Sequence, residues 1–199
     1  MTMRRILDRR PILVALAGPN GAGKTTFCHV HLKPCGLRFL NPDLVARELH
    51  LSPEDTATAM TALRHMLMRQ RESFVLETVF SDPVGDKIKV LKDAARSGYT
   101  VVLCFIGLAS AGSSAVRVAM RVSQGGHDVP LEKLTARYPR IMVNLAEAVR
   151  SLPHVFIFDN EDLRTPFRKV AVFENGTPLY LSEPAPRWLV SVLPRSTER

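Results

Sequence analysis

Between the apolar run Ile12-Leu13-Val14-Ala15-Leu16-Ala17 and a stretch of helical character stands Gly18-Pro19-Asn20-Gly21-Ala22-Gly23-Lys24-Thr25, followed by Thr26. The string satisfies G-x-x-x-x-G-K-[ST], the phosphate-binding P-loop. Its glycines let the backbone turn tightly, so that successive N–H groups converge on phosphate oxygens. The lysine brings positive charge to the β and γ phosphates, the threonine hydroxyl suits Mg²⁺, and the following helix adds its N-terminal dipole. What makes so short a pattern specific is its position between a strand and a helix. ATP and Mg²⁺ are the expected ligands, held by residues 18–26 with Thr25 on the metal.

Two carboxylates fall at the ends of expected strands, Asp43 in Asn41-Pro42-Asp43 and Glu77 in Val75-Leu76-Glu77-Thr78. A hydroxyl that accepts a phosphoryl group needs a carboxylate to orient it and take its proton. Asp43 is the candidate base; the alternative is a helix N-cap after Pro42. Glu77, with Thr78, could bind substrate hydroxyls or hold a water on the metal, against the alternative of an ordinary surface glutamate.

Arginines supply the third ingredient. Arg117 and Arg121 lie four apart, on one helical face. Arg137 and Arg140 follow beyond the turn Gly125-Gly126-His127-Asp128-Val129-Pro130. Guanidinium groups stabilise the charge spread over a moving phosphoryl group, and a helical flap over 112–150 would deliver them while excluding water. For each arginine taken alone, a solvated face is the alternative. His127 reads as a turn residue.

The elements that must position these residues alternate. Residues 12–17, 37–40, 73–76, 100–106 and 154–158 read as strands, and 24–31, 43–50, 53–71 and 83–97 as helices. Ser52 is a plausible N-cap and Gly98 a C-terminal stop. Residues 169–173 and 179–181 suggest a hairpin around Asn175-Gly176. The expected fold is α/β, a P-loop kinase-like, mostly parallel five-stranded sheet flanked by helices, with a helical lid and a C-terminal β-hairpin. Ligands in such sheets lie beyond the carboxyl ends of the strands. Trp188, Leu189 and Val192 are expected to pack back on the domain.

With 199 residues, the chain fits one domain spanning 1–199. Its 27 Lys+Arg against 19 Asp+Glu give a formal charge of +8, which favours anionic partners. Aromatics make up 7% and do not interleave with basic runs, which argues against a stacking platform for nucleic acid. The three cysteines leave an odd count and no CxxC, as suits a reducing compartment. Cys28, His29, His31 and Cys35 lack paired metal-ligand spacing. The apolar run before the P-loop is too short and interrupted for a membrane span, so the expected location is cytoplasmic.

The P-loop would also suit a transporter-type ATPase, and Ser123-Gln124-Gly125-Gly126 has something of that signature. The signature order is scrambled, however, and Asp159 is followed by Asn160 where that family has glutamate. Over roughly 12–176 the chain instead resembles the zeta toxin family of P-loop kinases, particularly its short members. The resemblance is carried by the P-loop, Asn41-Pro42-Asp43, Leu76-Glu77-Thr78, Arg121 with the 125–130 turn, Arg137-Tyr138 and Asp159-Asn160.

That resemblance implies ATP-dependent phosphorylation of a small hydroxyl compound, UDP-N-acetylglucosamine in well-known members. By it, Lys24 grips the phosphates, Thr25 holds Mg²⁺ and Asp43 is the base. Glu77 and Thr78 would meet substrate, Arg121 and Arg137 would neutralise the transferring group, and Asn160 would lie near the adenine. A toxin role would add an antitoxin protein as partner. The competing reading is an ATPase or switch protein with no phosphoryl acceptor.

Overall fold

Ile12–Ala17 (β1) is buried at every position, as a parallel strand covered on both faces must be. The computed structural model describes residues 3–126 and 128–193, so the expectation for His127 lies outside the described residues. Around β1 the strands are Arg38–Leu40 (β2), Phe74–Thr78 (β3), Thr100–Gly107 (β4), His154–Asp159 (β5), Arg168–Glu174 (β6) and Thr177–Leu181 (β7). They form one sheet in the order β2-β3-β1-β4-β5-β6-β7. The first five in that order are parallel and the last two antiparallel. The expected hairpin is present and extends the sheet to seven strands. It turns at Asn175 and Gly176, whose φ of 48° and 81° suit a two-residue hairpin turn.

Alternation along β1 divides the core. Leu13, Ala15 and Ala17 face one layer of helices, Pro53–Arg69 (α4), Asp86–Arg96 (α5) and Leu131–Ser151 (α7), through Met60, Leu67, Leu91 and Leu145. Ile12, Val14 and Leu16 face the other layer, Met3–Leu7 (α1) and Lys24–Phe27 (α2), through Ile6, Leu7 and Phe27. Each fully buried Leu or Phe contributes about 1.5–3 kcal/mol to this packing. The helix after the P-loop is α-helical only to Phe27 and continues as a π-helical turn over Cys28–Leu32. The remaining α-helices among the described residues are Pro42–Leu49 (α3), Ala111–Val122 (α6) and Arg187–Val190 (α8).

Helix ends follow their capping residues. Ser52 Oγ accepts the Asp55 N–H at 3.1 Å, and Ser110 Oγ accepts that of Ser113 at 3.0 Å. Gly98, at φ 82°, ends α5 and bonds back to Ala95. The register sets Ala17 level with Thr78 and Phe105, and Gly107 level with Asp159. The P-loop, Glu77 and Asn160 therefore share the carboxyl end of the parallel strands. No helix among the described residues is long and apolar enough to cross a membrane.

Candidate functional site

The P-loop is pressed into shape by its neighbours. Gly18 has φ 145°, and a Cβ there would lie 2.1 Å from the Ile106 carbonyl oxygen. At Gly23, φ 87°, a Cβ would come within 2.9 Å of Asn160 Nδ2. Only glycine fits either place. A backbone so bent, with a helix opening behind it, has the shape that cradles phosphate in P-loops.

Lys24 opens α2 and is 6% exposed. Its ammonium donates to the carbonyls of Gly18 at 3.1 Å and Pro19 at 3.0 Å, and lies 3.9 Å from Glu77 Oε1. Glu77 Oε2 accepts from Thr25 Oγ1 at 3.0 Å and from Asn41 Nδ2 at 2.8 Å. Burial pushes the Lys24 pKa down, against the attraction of Glu77 and Asp43. Burial also pushes the Glu77 carboxyl up, against Lys24 and the hydrogen bonds from Thr25 and Asn41. Both groups are driven toward neutrality because desolvation outweighs the pairing.

Thr25 Oγ1 and the Glu77 carboxylate are hard oxygen donors beside the phosphate cradle, and they fit Mg²⁺. Among the described residues there is no group of three or more His, Cys, Asp or Glu side chains able to hold a metal.

Asp43 sits exposed in the first turn of α3, close enough to attract Lys24. The cap of α3 is Asn41, whose Oδ1 accepts the Leu44 N–H at 3.1 Å. Capping, the alternative use for Asp43, is therefore taken by a neighbour. Thr78 Oγ1 accepts the Phe80 N–H at 3.2 Å and shapes the loop after β3.

From the other side, Arg137 Nη1 donates to Asn20 Oδ1 at 3.3 Å, and Tyr138 Oη donates to the Leu108 carbonyl at 2.8 Å. The next turn of α7 is thereby fastened to the P-loop wall. Arg121, in the last turn of α6, lies near enough to repel Lys24, and its stem is packed by Gly126, where a Cβ would be 2.6 Å from Arg121 Cγ. Arg117 Nη2 donates to the carbonyls of Asn160 and Glu161, both at 2.9 Å. Arg140 is exposed and bonds its own helix at Ala136. Asn160, 3% exposed, donates to the Ala22 carbonyl at 2.9 Å and accepts the Phe167 N–H at 3.2 Å. Its side chain ties the P-loop to the loop after β5. Thr26 is exposed on α2.

Sequence reasoning passed over two residues. Asn41 was visible in Asn-Pro-Asp, and a small polar residue two before a helical Asp is a capping signal. Asn144, which donates to the carbonyls of Phe80 at 3.0 Å and Asp82 at 2.9 Å, had no signal: it is one polar residue among many on an amphipathic helix.

A family profile described as Zeta toxin matches residues 3–169. The chain belongs to the zeta toxin family. An uncharacterized protein of Haemophilus influenzae is 25% identical over 126 residues, covering 61% of this chain and 88% of that protein. Among solved structures, the AvrRxo1-ORF1:-ORF2 complex with ATP aligns with TM-score 0.70 at 19% identity, over 94% of this chain and 64% of that one. The zeta toxin family chain thus spans under two thirds of the AvrRxo1 chain. The PezAT toxin-antitoxin system of Streptococcus pneumoniae aligns with TM-score 0.63 at 18% identity, over 92% of this chain and 77% of that one. A gluconokinase from Sinorhizobium meliloti aligns with TM-score 0.50 at 20% identity, over 76% and 84%. At these identities the likenesses establish a kinase-type P-loop fold.

Proposed function

We propose that this zeta toxin family member is an ATP-dependent kinase that transfers the γ-phosphate to a hydroxyl of a small molecule. A nucleotide sugar such as UDP-N-acetylglucosamine is the acceptor the family resemblance suggests. The observation that carries the reading is the cluster at the mouth of the P-loop: Lys24, Thr25, Glu77 and Asn41 in mutual contact, with Asp43 alongside.

In this mechanism Lys24 exchanges the Gly18 and Pro19 carbonyls for the β and γ phosphates. Thr25 and Glu77 hold the Mg²⁺ side of the nucleotide, directly or through water. Mg²⁺ held there would supply positive charge to the phosphates. Asp43 accepts the proton of the acceptor hydroxyl as its oxygen bonds to the γ phosphorus, and the bond to the bridging β–γ oxygen breaks, releasing ADP. Arg121 and Arg137 neutralise the equatorial oxygens from the lid helices. Thr78 and Glu77 border the acceptor, and Asn160 holds the loop beside the base. The reaction takes place in the cytoplasm, and an antitoxin protein is the partner that a toxin role would require.

The test is ATP consumption by the purified protein, alone and with a panel of nucleotide sugars and other small hydroxyl compounds, with Lys24→Ala as blank. ADP release that depends on one panel member supports the kinase. Hydrolysis indifferent to every acceptor would transfer the reading to an ATPase.

A further inference from the structure

Lys89, Lys92 and Arg96 fall at i, i+3 and i+7 of α5, so one stripe of that helix carries three cations. Val143, Glu147 and Arg150 fall at i, i+4 and i+7 of α7 and form the facing stripe. The two stripes wall a groove of about 500 Å³, which the largely buried Ile88 also lines. Lys89, Lys92, Arg96 and Arg150 therefore share one groove with a single carboxylate, Glu147.

That carboxylate is already engaged. Glu147 Oε1 accepts from Lys92 Nζ at 3.0 Å, and its Oε2 lies 3.5 Å from Arg150 Nη2. The Lys92 hydrogen bond holds the Glu147 carboxyl below its ordinary pKa, so it is ionised at neutral pH. Arg96 pairs with Asp93 of its own helix at 2.9 Å. Lys89 is exposed and has no carboxylate within ion-pair distance among the described residues. Like charges three and four residues apart weaken a helix. The stripe thus works against α5 in the free protein, and its field is concentrated by the concave walls.

Apolar surface accompanies the charge. Val143 is 67% exposed, and Val84, next to the groove-lining Gly85, is 73% exposed. A matching ligand brings acids to Lys89, Arg96 and Arg150 and apolar groups to Val84, Ile88 and Val143. A nucleic acid fits poorly: no aromatic ring lines the groove for its bases, and its continuous phosphates would run past ionised Glu147. An amphipathic helix fits, because its ridge of side chains beds between two others and its separate acids can skip Glu147. The 11 residues of α5 make a wall about 16 Å long, enough for about three turns.

α5 and α7 cover the face of the sheet opposite α2. Both run toward the amino ends of the strands, α5 from β3 to β4 and α7 into β5. Arg96 and Arg150, in their last turns, therefore lie at the end of the sheet away from the P-loop. We infer that the α5–α7 groove docks an acidic, amphipathic helix of a partner protein, and that the docked helix leaves the P-loop open to nucleotide. The inference does not depend on the kinase reading.

The probe is a fluorescein-labelled helical peptide of Glu, Ala and Leu, about 15 residues or roughly 22 Å long, with Leu at i, i+4 and i+7 and Glu on both flanks. Anisotropy is measured at physiological ionic strength, where charge is screened beyond about 8 Å. Wild type is compared with Lys89→Glu/Arg96→Glu, with Val143→Ser, and with Arg4→Glu/Arg5→Glu, which makes the same charge change at exposed residues of α1 on the other face. Wild type and R4E/R5E are expected to bind alike, K89E/R96E at least tenfold more weakly and V143S at least threefold more weakly. Saturating Mg²⁺ and AMP-PNP should leave peptide affinity within twofold, and unchanged circular dichroism reports that each variant is folded. No binding by wild type overturns the inference, as does equal loss in R4E/R5E, which would reduce it to net charge. Unchanged binding by V143S removes the apolar anchor and overturns the amphipathic helix. Oligothymidylate that binds more tightly than the peptide and is lost in K89E/R96E gives the groove to nucleic acid. Displacement of the peptide by AMP-PNP overturns its separation from the P-loop.

Discussion

Glu77 is an acid whose surroundings pull in opposite directions. Burial favours its protonated form, while Lys24, Thr25 and Asn41 favour the carboxylate, and burial prevails. Its folded pKa lies above the unfolded value, so in the window between them the native state holds the extra proton. Stability of the free protein then falls as pH rises through that window. Glu77→Gln removes this titration. Thermal unfolding from pH 4 to 7 without nucleotide should show wild type losing stability relative to the variant as pH rises; parallel curves would mean that Glu77 does not titrate there. Asp43 is exposed and unencumbered by capping. Asp43→Asn should keep nucleotide affinity and lose about 10²–10⁴-fold in turnover, the usual weight of a general base; near-normal turnover with the productive acceptor would remove Asp43 from that role. The P-loop and both acids were legible because their chemistry demands fixed residue types at strand ends.

Elements place these residues, and the loop between β3 and α5 shows how firmly. Two carbonyls of that loop, Phe80 and Asp82, are paired by Asn144 alone among the described side chains. Asn144→Ala leaves them without that partner, costing about 2 kcal/mol by the desolvation of unpaired groups. At roughly 2–4 °C per kcal/mol for a chain of this size, calorimetry should show Tm lowered by about 4–8 °C. AMP-PNP affinity should be unchanged, since the P-loop is held from the other side by Asn160; a proportional loss of nucleotide binding would mean that the two loops are not independent. Strand positions were readable from continuous apolar runs, and Ser52 and Gly98 from their capping chemistry. The π-helical turn after Phe27 was not readable, because Cys28, His29, Val30, His31 and Leu32 carry no breaker. Nor was α1: Met3–Leu7 is too short for its period to show, and Ile6 and Leu7 are buried only because β1 and its neighbours offer them a face.

At the scale of the whole molecule, the open question is whether the C-terminal hairpin and tail fold with the parallel sheet or separately from it. The contacts favour one unit. Trp188, the single tryptophan of the chain, lies 6.2 Å from Phe105 between ring centroids, and its Nε1 donates to Asp159 Oδ1 at 3.0 Å. Arg168 of β6 reaches the other oxygen of Asp159 at 3.3 Å. One carboxylate at the end of β5 therefore gathers the tail and the hairpin onto the central strands. The indole lies so close to β4 that a Cβ on Gly107 would be 2.2 Å from its ring. Tryptophan fluorescence thus reports the junction of tail and sheet, while far-UV circular dichroism reports every helix and strand. A single cooperative unit requires both signals to share one midpoint and one slope in urea. We expect coincidence. An earlier fluorescence transition would mean that the tail detaches before the sheet unfolds, and that the chain is not one domain in the energetic sense. Trp188→Phe sharpens the same test. It keeps most of the apolar contact but leaves Asp159 Oδ1 without its donor, so the dichroism midpoint should move by the equivalent of about 1–3 kcal/mol if tail and sheet are coupled, and stay in place if they are not.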